Sequence, residues 1–89
     1  MGGIEKRLIA VWNRNYKVCM AVADDPSEAV TLCVGSKHIR KPHLYRKFED
    51  LTERSLDAPE DARSSLLALL EGDRSGVVTQ NDDGVWTFT

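Results

Sequence analysis

The segment Lys37-His38-Ile39-Arg40-Lys41-Pro42-His43-Leu44-Tyr45-Arg46-Lys47 concentrates the chemistry of this sequence. Five of its eleven residues are Lys or Arg, two are His and one is aromatic. Its first half reads as the connection after Gly35, and the rest as the first turn of a helix. Cations leading into a helix start, whose free N–H groups point outward, suit phosphate or carboxylate groups. Tyr45 adds a ring on which a base of single-stranded nucleic acid can stack. Lys37, Arg40, Lys41, His43, Tyr45, Arg46 and Lys47 are therefore the candidate binding residues. The competing expectation is that these cations reach over to Glu49, Asp50, Glu53 or an acidic third helix, because Lys and Arg in a first turn oppose the helix dipole.

Cys33, His38 and His43 fall at C-x4-H-x4-H, with Cys19 as a possible fourth ligand, a donor set that zinc accepts tetrahedrally. Structural zinc sites usually start from a close pair such as C-x2-C held by one turn, and this chain has none. No metal ligand is assigned. Nucleophilic catalysis has as little behind it. Ser36, Ser55, Ser64 and Ser65 all lack the G-x-S-x-G setting, and a Cys33–His38 dyad would need a third group to orient the imidazole. Gly35-Ser36-Lys37 lacks the leading glycine and the following Ser or Thr of a phosphate loop. The paired carboxylates Asp24-Asp25, Glu60-Asp61 and Asp82-Asp83 each have a capping or turn role. The expectation is a protein with no catalytic residues, no cofactor and no metal.

Charge is segregated along the chain. Residues 1–47 hold nine Lys or Arg against four Asp or Glu, whereas residues 48–89 hold three against ten. Such a chain is either internally complementary or presents two faces of opposite sign. Glu49, Asp50, Glu53, Asp57, Glu60, Asp61, Glu71 and Asp73 make the second half a surface for a basic partner, or simply a solvated face. Trp12 and Trp86 are core residues by default, or interface anchors if exposed at a strand edge.

The elements that must carry these groups follow from local pattern. Residues 7–12 and 16–23 are rich in β-branched and aromatic residues and flank Asn13-Arg14-Asn15, which predicts a hairpin. Tyr16, Val18, Met20 and Val22 then share the core face, with Lys17, Cys19, Ala21 and Ala23 opposite. Asp25-Pro26-Ser27-Glu28 carries an N-cap, a Pro for the first helical position and a capping-box Glu, and Gly35 is placed to end that helix in a left-handed C′ conformation. A second helix is predicted from about Pro42 to Leu56, with Leu44, Phe48 and Leu51 as its apolar stripe and Asp50–Arg54 as an i,i+4 pair. A third is predicted between Asp57, its cap, and Gly72, with Ala62, Leu66, Leu69 and Leu70 facing the core. Val77–Gln80 and Val85–Thr89 form a closing hairpin around Asn81-Asp82-Asp83-Gly84, with Gly84 at positive φ.

Eighty-nine residues of 10.0 kDa make one domain, residues 1–89, with a single modest core. The longest apolar run is the six residues Val18–Ala23, far short of the roughly 20 residues that cross a bilayer. The predicted class is α+β, two antiparallel β-hairpins at the N- and C-terminal ends bracketing three short helices, in the order β-β-α-α-α-β-β. Cys19 and Cys33 sit in apolar company, the usual setting of reduced, buried thiols, and Met1–Glu5 carries no leader pattern. A reducing cytoplasm is the expected compartment. The functional expectation is a small non-enzymatic inhibitor or adaptor, of the size and composition seen among phage- and mobile-element-encoded regulators. It would dock a charged surface onto a macromolecular partner, a protein first and a nucleic acid second, through the 37–47 segment. Unpaired strand edges also predict a homodimer.

Overall fold

The computed structural model describes residues 6–13, 16–35 and 47–89. Two strands, β1 (Arg7–Asn13) and β2 (Tyr16–Ala23), form the predicted hairpin, in antiparallel register from Arg7↔Ala23 to Asn13↔Tyr16. The register shifts between Val11 and Trp12, where β2 carries one extra residue, a β-bulge. Helix α1 (Pro26–Gly35) follows, then strand β3 (Lys47–Asp50), the short helix α2 (Thr52–Leu56) and helix α3 (Glu60–Glu71). Strands β4 (Gly76–Gln80) and β5 (Trp86–Phe88) close the chain as a second hairpin. All five strands join one antiparallel sheet in the order β3-β1-β2-β4-β5.

The largest departure from expectation is at residues 47–50. A helix over 42–56 was predicted there, yet Lys47-Phe48-Glu49-Asp50 is an edge strand, paired from Ile9↔Asp50 to Trp12↔Lys47. The physical reason lies in β1. Leu8, Ile9, Ala10 and Val11 are all at most 3% exposed, so the free edge of β1 would otherwise leave buried N–H and C=O groups unpaired. Helical i,i+4 preference is weaker than that demand. Phe48, meant for the helix stripe, is 43% exposed, and Asp50 pairs with Arg7 rather than Arg54. The strand ends where the Asp50 carboxylate accepts the Thr52 backbone N–H at 3.0 Å, a side-chain turn that lets α2 begin.

Thr52 fastens this crossing from inside. Its hydroxyl, in a residue 1% exposed, accepts the Leu8 N–H at 2.9 Å, while Leu51 N–H donates to the Leu8 carbonyl at 2.8 Å. Thr52→Val keeps the shape and strands the Leu8 N–H without an acceptor. The expected loss is about 1–3 kcal/mol in urea unfolding, and a shift near zero would show that the hydroxyl is dispensable.

The sheet is covered on both faces. Leu8, Ala10, Val22, Leu51, Leu66, Leu70, Val78 and Trp86 form one core beneath α2 and α3. Ile9, Val11, Cys19, Ala21, Ala23, Ala29, Cys33 and Val77 form a second, beneath α1. The face assigned above to the solvent side of β2 is therefore buried, because small side chains at Cys19, Ala21 and Ala23 let α1 lie close against it. Cys19 and Cys33 are joined in a disulfide with Cα atoms 6.3 Å apart, so the expectation of free thiols is corrected.

Local signals fared well elsewhere. Asp25 Oδ1 accepts the Glu28 N–H at 2.8 Å and Glu28 Oε1 accepts the Asp24 N–H at 2.7 Å, which closes the start of α1 from both sides. Gly35 departs from its expected role: it is the last helical residue of α1, not a left-handed residue beyond its end. At the closing turn Gly84 has φ of 87°, the left-handed value expected, and its N–H donates to the Asn81 carbonyl. Asp57 does not cap α3. Pro59 takes that position without a side-chain hydrogen bond, and Asp57 instead closes α2, its N–H donating to the Glu53 carbonyl.

Candidate functional site

Of the seven candidate binding residues, Lys37, Arg40, Lys41, His43, Tyr45 and Arg46 lie outside the described residues. Lys47 is exposed at the head of β3. Its register partner is Trp12, and its Nζ sits 5.2 Å from the centroid of that indole ring, a cation–π contact. Lys47, on the edge strand, therefore sets its cation over an aromatic side chain of the neighbouring inner strand β1.

The carboxylates expected to neutralise that segment are engaged by arginines. Arg7 Nε donates to Asp50 at 2.8 Å and its Nη2 to Glu53 at 2.6 Å. Hydrogen bonds to Asp50 and then Glu53 raise the Arg7 pKa further. Burial pushes the Asp50 carboxyl up, but hydrogen bonds from Arg7 and Thr52 outweigh it and the net direction is down. Glu53 is lowered by its Arg7 bond. Glu49 lies 3.8 Å from Arg54, a loose pair in which Arg54 is 77% exposed. On α3 the Glu60 carboxyl is lowered by Ser64 and then Arg63, both on its own helix.

A second feature opens beside Lys47. A cavity of about 270 Å³ lies on the α2–α3 side of the sheet, with Trp12, Met20, Leu51 and Trp86 as its apolar walls. Glu49, Arg54, Ser55 and Gln80 supply its polar groups. Trp12 arrives from the end of β1, and the Lys47-Glu49 alternation of β3 puts Glu49 on the same face. Trp86, 5% exposed, comes from the far edge strand, its backbone N–H donating to Ser65 Oγ at 2.9 Å. Both indole Nε1–H groups are buried, and neither has an acceptor among the described residues. Leaving such a donor unmade costs about 1–3 kcal/mol, so two beside one cavity form an uncommon arrangement.

Sequence pattern assigned the tryptophans to core or interface separately and did not connect them. Only the sheet order, which places β1 and β5 over one helical layer, brings them to one wall. The metal spacing considered above loses both its sulfurs to the Cys19–Cys33 disulfide. Among the described residues no helix is long and apolar enough to cross a membrane. Comparison with known proteins finds no family model, no curated protein and no solved structure that matches the chain.

Proposed function

We propose that this is a non-enzymatic binding protein of the inhibitor or adaptor type, which docks a macromolecular partner, a protein in the first instance, through residues 37–47. The observation that supports this reading is that Glu49, Asp50 and Glu53 are engaged by Arg54 and Arg7. The neighbouring carboxylates thus have partners supplied from β1 and α2. Lys47 lies exposed along β3, an edge strand among the described residues, a position suited to pairing with an acidic extended partner.

Replacing Arg40 and Lys41 together with Glu is expected to weaken partner binding by well over tenfold while the fold survives, since exposed charges contribute under about 1 kcal/mol each. Pull-down from the source cells followed by titration at rising salt measures it. Unfolding of the double variant would show instead that the cluster is internally paired. Tight, salt-dependent binding of generic DNA or RNA, lost in the same variant, would put nucleic acid in the partner's place.

Self-association belongs to the same proposal. Edge strand β3 is charged, whereas edge strand β5 carries no Lys or Pro to block pairing, so a second copy adds at β5. Light scattering at high micromolar concentration should return about twice 10.0 kDa, and the monomer mass would sink the dimer. A cytoplasmic location rested on free thiols and loses that support with the disulfide, since oxidising compartments are where such bonds persist. Thiol titration of the freshly isolated protein decides the compartment's redox class.

A further inference from the structure

Helix α1 is held to the sheet by different means at its two ends. At its start Asp25 and Glu28 close the first turn, and Glu28 Oε1 also accepts the Ser75 hydroxyl at 3.0 Å. Ser75 Oγ in turn accepts from Lys6 Nζ at 2.8 Å, and the same ammonium donates to Asp24 at 3.0 Å. These bonds tie the helix start to the residues that lead into β1 and β4. At the other end Cys33 is the last buried residue of α1, for Val34 and Gly35 are exposed. The bond to Cys19 fixes that end.

Little else holds it there. The core beneath α1 is built largely from Ala21, Ala23, Ala29 and the two half-cystines, whose small side chains bury little apolar area. Two separate thiols also need more room than two bonded sulfurs, and a close-packed layer makes that room only by moving apart. Neither effect reaches the opposite face. Leu8, Ala10, Val22, Leu66, Leu70, Val78 and Trp86 pack there beneath α2 and α3, and no residue of α1 belongs to that core. The five-strand ladder does not run through α1 either.

We propose that the Cys19–Cys33 bond is a redox latch. Its reduction by a dithiol releases residues 30–35 of α1 from the sheet, pivoting on the helix start, while the second core stays folded. A thiolate of the dithiol attacks Cys19 Sγ, which is 7% exposed where Cys33 is fully buried. Fraying of the last turn of α1 opens the path. The S–S bond breaks, and its electron pair leaves on Cys33 Sγ, which takes a proton. The second thiolate of the reductant then attacks its own sulfur in the mixed disulfide, and Cys19 leaves as a thiolate and is protonated in turn. Two electrons have passed to the protein, and the dithiol ends as a disulfide. The same exchange run backward closes the latch.

Release uncovers Val11, whose strand neighbours are Cys19 on β2 and Phe48 on β3. Phe48 is already 43% exposed on that face, so the open form presents the two as one apolar strip. The latch goes beyond partner docking through residues 37–47 and does not depend on it.

Amide hydrogen exchange before and after treatment with dithiothreitol tests it. The Leu32 and Cys33 amides are expected to exchange about tenfold faster or more once the bond is cut. The Ala29 N–H, bonded to the Asp25 carbonyl, and the Val22 and Leu66 amides should keep their protection. Fluorescence of an added anilinonaphthalene sulfonate should rise at the same time, as the apolar strip opens. Cys19→Ala with Cys33→Ala has no bond to cut, so its exchange should be the same with and without dithiothreitol. A response in that variant would assign the effect to the reagent and overturn the latch. So would equal protection of Leu32 and Cys33 in the oxidised and reduced protein. Loss of protection at Ala29 or Leu66 along with them would make the bond a staple of the whole fold and equally overturn it. Finally, a native protein that yields no thiols to about 10 mM dithiothreitol has a bond closed to exchange, and the proposal falls.

Discussion

Leu66→Ala is expected to cost about 2–5 kcal/mol of folding stability, a large part of what a chain of this size has. Leu66 is fully buried at the middle of α3, in the core it shares with Leu8, Val22, Leu70, Val78 and Trp86. Three secondary-structure layers meet there: α3 above, the central strands below, and β5 at the side. Neighbours held by backbone ladders cannot collapse into the space that a lost isobutyl group leaves, so a cavity term adds to the transfer term. Leu69, only partly buried against the same cluster, should cost distinctly less on the same substitution. Urea titrations of the two variants check the contrast. Equal small losses would mean that α3 turns a different face inward.

Loss of the Cys19–Cys33 disulfide is the other large expected effect. The bond ties β2 to α1 across a sequence separation of 14 residues. Closing a loop of about 15 residues removes unfolded-state freedom worth about 3 kcal/mol in the chain-entropy picture. The native side of the ledger points the same way. Helix α1 buries only Ala29 and Cys33 fully, against Ala21, Ala23 and a few branched residues, and such small side chains offer little area. Without the cross-link, α1 is held mainly by Val30 and Leu32 along its edge. Reduction, or the double change Cys19→Ala with Cys33→Ala, should lower the melting temperature by roughly 10 °C or more. The double variant keeps the comparison free of unpaired thiols. If the reduced protein melts within a degree or two of the oxidised one, the close packing of α1 suffices alone.

What the residues by themselves determined is what depends on near neighbours. The α1 start at Asp25-Pro26-Ser27-Glu28, the Asn81–Gly84 turn, the first hairpin and the Ala62-Leu66-Leu70 face were all legible in the sequence. Each rests on hydrogen bonds or side-chain spacing within a few residues. One signal was present and unused. The near-continuous apolar run Leu8-Ile9-Ala10-Val11 marks a strand buried on both faces, and so a sheet with two cores.

The tertiary structure decided the rest, because the deciding partner lies far along the chain. Leu44, Phe48 and Leu51 have helical spacing, yet 47–50 becomes a strand because β1 offers an edge whose buried backbone groups need partners. Cys19 and Cys33 lie in apolar settings whether free or bonded, and only α1 lying across β2 brings their Cα atoms to 6.3 Å. The same holds for the candidate site. Trp12 and Trp86 are 74 residues apart in the sequence, and no local pattern relates them. They meet at one cavity because β2 pairs with β4, which joins two independent hairpins into one sheet beneath α2 and α3.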